Sequence, residues 1–239
     1  MRIDKFISDS GVASRRECAA AAKRGLVLID GMAVRDVSRH IEPQSVSVSY
    51  MGKIIPYEKF TYVMLNKPDG YVSATEDSRL PVVTELLPPE LRRRELFPVG
   101  RLDKDTVGLM ILTNDGKLSH TLLSPKRHVE KKYFYRCVEP LSAGAEARFA
   151  AGVTLADGYE CKSAVIEPSA DRLSGFITLT EGKYHQIKRM IASLGNKVTF
   201  LERVSFADIG LDASLSRGEW RYLNENEVGK LLSAVNKDI

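Results

Sequence analysis

Pro98-Val99-Gly100-Arg101-Leu102-Asp103-Lys104-Asp105-Thr106-Val107-Gly108-Leu109 is the segment on which the reading of this 239-residue chain turns. Gly100 and Gly108 bracket a dense polar set, and an apolar run, Gly108 to Thr113, follows at once. That run, closed by Asn114-Asp115-Gly116, reads as a buried strand. A carboxylate just ahead of a buried strand is held rigidly, and its head can point into a cleft. The same spacing suits a turn in which Asp103 or Asp105 caps backbone N–H groups. The segment by itself leaves both readings open.

Working outward, strands and helices mix. Tyr62-Val63-Met64-Leu65 reads as a buried strand ended by the turn cluster Asn66-Lys67-Pro68-Asp69-Gly70. Val82 to Leu87 reads as a short helix ended by Pro88-Pro89. Downstream come a helix at Leu118 to Leu123 closed by Pro125, and a strand of period-two alternation at Lys131 to Val138. A helix at Ala143 to Ala151 and a strand at Phe176 to Thr180 follow. The helix His185 to Leu194 is ended by Gly195-Asn196, and late strands lie at Val198 to Val204 and Trp220 to Leu223. Strands outnumber helices and connections are short. The expected fold is therefore α+β, a mixed, largely antiparallel sheet with flanking helices, rather than a βαβ array.

Residues 1–60 read as a separate small module ahead of a domain at 61–239. Ile3, Phe6 and Ile7 recur at helical spacing, and Gly11 ends that turn. Ser14 and Glu17 form a capping box for a second helix through Lys23, which Gly25 stops. Two apolar runs around Asp30-Gly31 signal a hairpin, and Val46, Val48 and Tyr50 alternate like a further strand. Arg2, Lys5, Arg15, Arg16, Lys23 and Arg24 crowd the helices, against Asp4, Asp9 and Glu17. A basic surface for a polyanion and a merely solvated helix face both fit that charge pattern.

Composition narrows the classes. At about 150 residues per domain the length holds one or two domains. Lys+Arg 35 against Asp+Glu 31 gives a net charge of +4, which permits a polyanionic partner without demanding one. No apolar run approaches the roughly 20 residues of a membrane span, and the charged N-terminus lacks the apolar core of a secretory signal. Cys18, Cys137 and Cys161 are far apart and form no CxxC pair. They read as buried free thiols of a cytoplasmic protein. His40, His120, His128 and His185 have no metal-ligand spacing.

Two further segments carry charge where it is informative. In Glu181-Gly182-Lys183-Tyr184-His185-Gln186-Ile187-Lys188-Arg189-Met190, a basic pair falls in the first half of a helix, against the macrodipole. That suggests an anionic partner, either a phosphate or a protein carboxylate. Lys126-Arg127-His128-Val129-Glu130-Lys131-Lys132-Tyr133-Phe134-Tyr135 interleaves cations and aromatics on a strand, which suits RNA.

The first quarter of the chain, MRIDKFI followed by SRRECAAAAKRGLVLIDGMAV, resembles the S4 RNA-binding domain. The resemblance implies a module that meets structured RNA through its basic helices, with salt-sensitive binding and little base readout. Asn66 to Gly70, Gly100 to Asp103 with Thr106 and Gly108, Glu130 to Tyr133, and Gly182 to Met190 together resemble the pseudouridine synthases, specifically the RsuA-type branch. That resemblance covers nearly the whole chain.

It implies an enzyme that isomerises a specific uridine to pseudouridine in ribosomal RNA, with no cofactor and no metal. Asp103 matches the essential aspartate, nucleophile or general base. Tyr133 matches the aromatic that stacks on the target base. Lys188 matches the basic position paired with the aspartate, where related branches carry Arg. Arg101 matches an RNA contact, and Lys67-Pro68 a motif usually considered structural. Arg15, Arg16, Lys23, Arg24, Lys131 and Arg189 are the expected further RNA-binding residues. His185-Gln186 resembles the small-subunit rRNA enzymes, whereas large-subunit relatives tend to carry Arg-Gln. The partner implied is small-subunit (16S) rRNA or its assembly intermediate, met by a monomer away from any membrane. The alternatives are the same chemistry on a 23S uridine and a non-catalytic S4-type RNA-binding factor. A glycoside hydrolase is disfavoured, because nothing assigns Asp105 the role of a second catalytic carboxylate. Arg92-Arg93-Arg94 is open between an RNA contact and a solvated loop.

Overall fold

The computed structural model describes residues 1–236. They fall into two compact units, 1–61 with 84–97, and 62–83 with the chain from 98 onward.

In the first unit, α1 (Ile3–Asp9) and α2 (Arg15–Lys23) precede β1 (Val27–Ile29), β2 (Met32–Ala33), β3 (Val48–Tyr50) and β4 (Lys53–Ile55). The Ser14 hydroxyl accepts from Glu17 N at 3.2 Å, and Ser14 N donates to the Glu17 carboxylate at 2.7 Å, so the capping box is complete. Cys18, Ala21 and Ala22 form the buried stripe of α2. They close a core with Ile3, Phe6, Ile7, Val27 and Val48. The strands form an antiparallel sheet in the order β2-β1-β3-β4.

The segment 84–97 departs from the sequence expectation, which placed it in the second domain. A 3₁₀ turn at Val83–Leu86 stands where the short helix was expected and ends ahead of Pro88, and Pro89 then starts a further helix, α3 (Pro89–Arg92). Arg93 Nη1 donates to Gly11 O at 3.2 Å, and Arg94 Nη2 donates to Ser10 O at 3.1 Å. Arg94 Nη1 also meets Glu58 at 2.9 Å. Arg93 and Arg94 thus tie this excursion to the small module. Gly11 makes the approach possible. It sits at φ 78°, and a Cβ there would lie 2.3 Å from Glu90 O.

The chain returns through β6 (Phe97–Pro98) to the second unit, which had begun with β5 (Tyr62–Lys67). After β6 come β7 (Val107–Thr113), α4 (Gly116–Leu123), β8 (Lys131–Cys137) and α5 (Ala145–Ala151). They are followed by β9 (Val165–Pro168), β10 (Ser174–Leu179), α6 (Gln186–Ala192), β11 (Val198–Phe206), β12 (Ile209–Gly210), β13 (Trp220–Tyr222) and α7 (Glu225–Asn236). The sheet runs β13-β5-β7-β11-β8-β10-β9. Only the β7–β11 pairing is parallel on that path. The fold is the expected α+β arrangement, with β4, β6, β9, β12, α3 and α7 added to the elements read from sequence.

Every residue of β7 is buried, as a central strand covered on both faces requires. Leu109 and Ile111 pack with Met64, Leu118, Leu122, Phe206 and Leu231. Gly108 is needed for the parallel pairing, since at φ 99° its Cβ would lie 2.4 Å from Arg203 O. The strand β5 runs two residues beyond its expected end. Asn66 and Lys67 read as turn residues because they are polar. They stay in the strand because their polar groups are satisfied, Asn66 Nδ2 by Leu215 O at 2.7 Å and Lys67 as described next.

Candidate active site

Asp103 lies in the loop that leads into β7, and this loop is fastened from below by the segment that follows β5. The Lys67 ammonium is fully buried and donates to Lys104 O at 2.9 Å, Thr106 O at 2.9 Å and Pro68 O at 3.0 Å. Three acceptors use all three of its donors. Burial pulls this lysine down to about 8, against the opposing pull of Asp69, Asp105 and Asp103. Gly70 N donates to the same Lys104 carbonyl at 3.1 Å. Ser73 Oγ donates to Leu102 O at 2.7 Å and accepts from Leu102 N at 2.9 Å, so both backbone groups before Asp103 are held. Thr106 N closes the turn onto Asp103 O at 3.1 Å.

The partners of the Asp103 carboxylate come from the start of α6. Lys188 Nζ lies 3.2 Å from Asp103 Oδ2 and 2.5 Å from Asp105 Oδ1. His185 Nε2 lies 3.7 Å from Asp103 Oδ1. Among the described residues, the carboxylate faces these side chains and not the N–H groups of its own turn. About 25% of the Asp103 side chain remains exposed, so the group is held yet reachable. Partial burial works against the charged forms of both Asp105 and Lys188, but their hydrogen bond wins. Asp105 is held below the usual carboxylate range and Lys188 above the usual lysine range. Lys188 is therefore a fixed cation and not a proton acceptor.

The turn that delivers α6 is built on a buried carboxylate. Glu181 accepts from Gln186 Nε2 at 2.6 Å, Lys162 N at 2.9 Å and the Tyr159 hydroxyl at 2.9 Å. Gln186 Oε1 in turn accepts from Lys183 N at 2.8 Å. The basic pair of this helix thus meets protein carboxylates, since Arg189 pairs with Asp157 at 2.5 Å.

The remaining expected site residues are distributed as follows. Arg101 is exposed two residues before Asp103. Tyr133 lies on β8 opposite Arg203 of β11, whose parallel partner on β7 is Gly108. It is nearly covered, at 8% exposure. Lys131, expected to meet RNA, instead turns its ammonium onto Val129 O at 2.9 Å and lies over the Phe206 ring. Burial and the charge of Arg203 pull it down to about 8. Arg15, Arg16, Lys23 and Arg24 are all exposed on and just after α2. Among the residues that fasten the site, the sequence reading named Lys67 only as part of a structural motif, and it missed Ser73 and Glu181. A lone serine and a lone glutamate carry no local signal.

A family model described as RNA pseudouridylate synthase matches residues 61–193, and an S4 domain model matches residues 1–46. The RNA pseudouridine synthase YtzG of Bacillus subtilis is 45% identical over 231 residues, covering 95% of this chain and 97% of that protein. The ribosomal small subunit pseudouridine synthase A of Escherichia coli strain K12 is 38% identical over 237 residues, covering 97% of this chain and all of that protein. A crystal structure of a pseudouridylate synthase aligns at TM-score 0.69 with 36% identity, covering 97% of this chain and 99% of that one.

Proposed function

The chain belongs to the RNA pseudouridylate synthase family and carries an S4 domain, and from that premise we propose that it isomerises a uridine of small-subunit ribosomal RNA with Asp103 as the acting carboxylate. The observation that carries this reading is the fastened, partly open Asp103 carboxylate beside the Lys188 ammonium at 3.2 Å.

The chemistry asks for that pair. The C1′–N1 bond of uridine breaks, the uracil turns, C5 bonds to C1′, and the C5 proton is lost as N1 gains one, so the product is an isomer. An ionised carboxylate can attack C1′ or remove a sugar proton, and later assist loss of the C5 proton. Lys188, fixed as a cation, favours the ionised carboxylate and steadies the negative charge that develops on the departing uracil. The target base has to leave the RNA stack at a cost of a few kcal/mol. Tyr133 offsets part of that cost where its uncovered margin meets the base. Exposed Arg101, two residues before Asp103, serves the backbone of the extruded nucleotide, and the basic residues of α2 hold structured RNA by phosphate neutralisation.

The choice of the small-subunit substrate rests on the relatives named above and on His185-Gln186 ahead of Lys188. The test is to map pseudouridines in the rRNA of cells that lack the protein. Loss of one pseudouridine from small-subunit rRNA is expected. Loss from large-subunit rRNA alone would move the substrate, and an unchanged map would refute the reading.

A further inference from the structure

Tyr184 is the most exposed aromatic among the described residues, at 72%, and it stands at the rim of the site. Its ring lies on that of His185 with centroids 3.8 Å apart and planes 17° from parallel. His185 in turn reaches Asp103, with Nε2 3.7 Å from Oδ1. One face of Tyr184 is covered by the imidazole, and the exposure of the residue leaves the other face to solvent.

The backbone holds this arrangement in place. His185 sits at φ 50°, ψ 32°, a left-handed conformation that turns its ring back over Tyr184 at the start of α6. The surrounding turn keeps it there through Lys183 N to Gln186 Oε1 at 2.8 Å and Gln186 Nε2 to buried Glu181 at 2.6 Å.

We propose that the open face of Tyr184, backed by His185, is a subsite for the base of an unpaired nucleotide next to the uridine that is modified. This rests on the reading of Asp103 as the acting carboxylate. The order of groups selects the neighbour over the target. A base on the outer face of Tyr184 lies one ring beyond the imidazole whose Nε2 edge meets Asp103, whereas the target nucleotide must bring its own C1′ to that carboxylate. Every base has a π-face, so the subsite accepts purines and pyrimidines and demands that the nucleotide be unstacked from its RNA neighbours. A rigid, preformed ring pair loses little freedom on binding, which favours tight use of a small contact.

The test compares Tyr184→Leu and Tyr184→Phe with the unaltered protein on a small-subunit rRNA transcript labelled with 5-tritiated uridine. Tyr184→Leu keeps bulk and removes the π-face. It is expected to raise KM by roughly 5- to 150-fold, the loss typical of one base–aromatic stack, with kcat held within about twofold. Tyr184→Phe keeps the ring and is expected to stay near the unaltered KM. Thermal unfolding checks that all three proteins are equally folded. An unaltered KM in Tyr184→Leu overturns the proposal, as does an equal loss in both variants, which would assign the effect to the hydroxyl. If the unaltered protein releases no tritium, the pseudouridine reading of the site fails instead. The transcript's Kd, measured for the same three proteins, then decides the subsite by the same pattern.

Discussion

Lys67 and Lys131 show how a single buried charge can serve two ends. Each is an ammonium held by backbone carbonyls, and each is drawn down to about 8 by burial. A lysine whose folded value lies below its unfolded value of 10.5 binds fewer protons when folded, between pH 8 and 10.5. Its cost to stability is full below about pH 8 and fades as the pH rises through that window. Cys18 and Cys137, raised to about 11 by burial, act in the opposite sense above pH 9, so the whole-protein profile mixes both. Comparison with Lys131→Met isolates one term. The stability of Lys131→Met relative to the unaltered protein is expected to be greatest near pH 7 and to decline steadily toward pH 10, by denaturant unfolding. A difference that does not change with pH would contradict the assignment. In the sequence, Lys131 looked like one cation among several beside aromatics. Nothing local distinguishes a lysine that faces RNA from one that turns back onto Val129 O.

At the scale of elements, legibility followed locality. The capped helix α2, the Asp30-Gly31 hairpin and the wholly buried strand β7 were all readable, because cap, turn and burial each act within a few residues. The segment 84–97 was not, because its attachment to the small module runs from Arg93 and Arg94 to carbonyls more than 80 residues away. Asn66 and Lys67 failed for the same reason, their partners being distant carbonyls. The attachment of 84–97 has its own test. At Gly11 a Cβ would meet Glu90 O at 2.3 Å, whereas at Gly25, also at positive φ, it would meet nothing within 4 Å. Gly25→Ala bears only the backbone strain, on the order of 1–3 kcal/mol. Gly11→Ala adds a backbone clash and is expected to lower the unfolding temperature further. Equal shifts in the two variants would mean that α3 does not pack on Gly11 as described.

For the molecule as a whole, the net charge of +4 understates what the chain offers to RNA. Much of the positive charge in the second unit is spent internally, as in Lys188 with Asp103 and Asp105, Arg189 with Asp157, and Arg221 with Asp212 and Glu227. The cations Arg15, Arg16, Lys23 and Arg24 of the small module are all exposed. On the proposed reading these four cations serve phosphate binding and Asp103 the chemistry, so the two should separate on mutation. The most direct test measures tritium release from a 5-tritiated small-subunit rRNA transcript by Asp103→Asn, with the affinity of the same preparation for that transcript across a salt series. Replacing the four α2-face cations by serine serves as the reciprocal variant. The account expects release by Asp103→Asn to fall to background while its affinity and salt slope persist. The four-serine protein should instead lose affinity and flatten the slope by about 0.7–0.9 for each phosphate contact removed. Tritium release retained by Asp103→Asn would contradict the central claim.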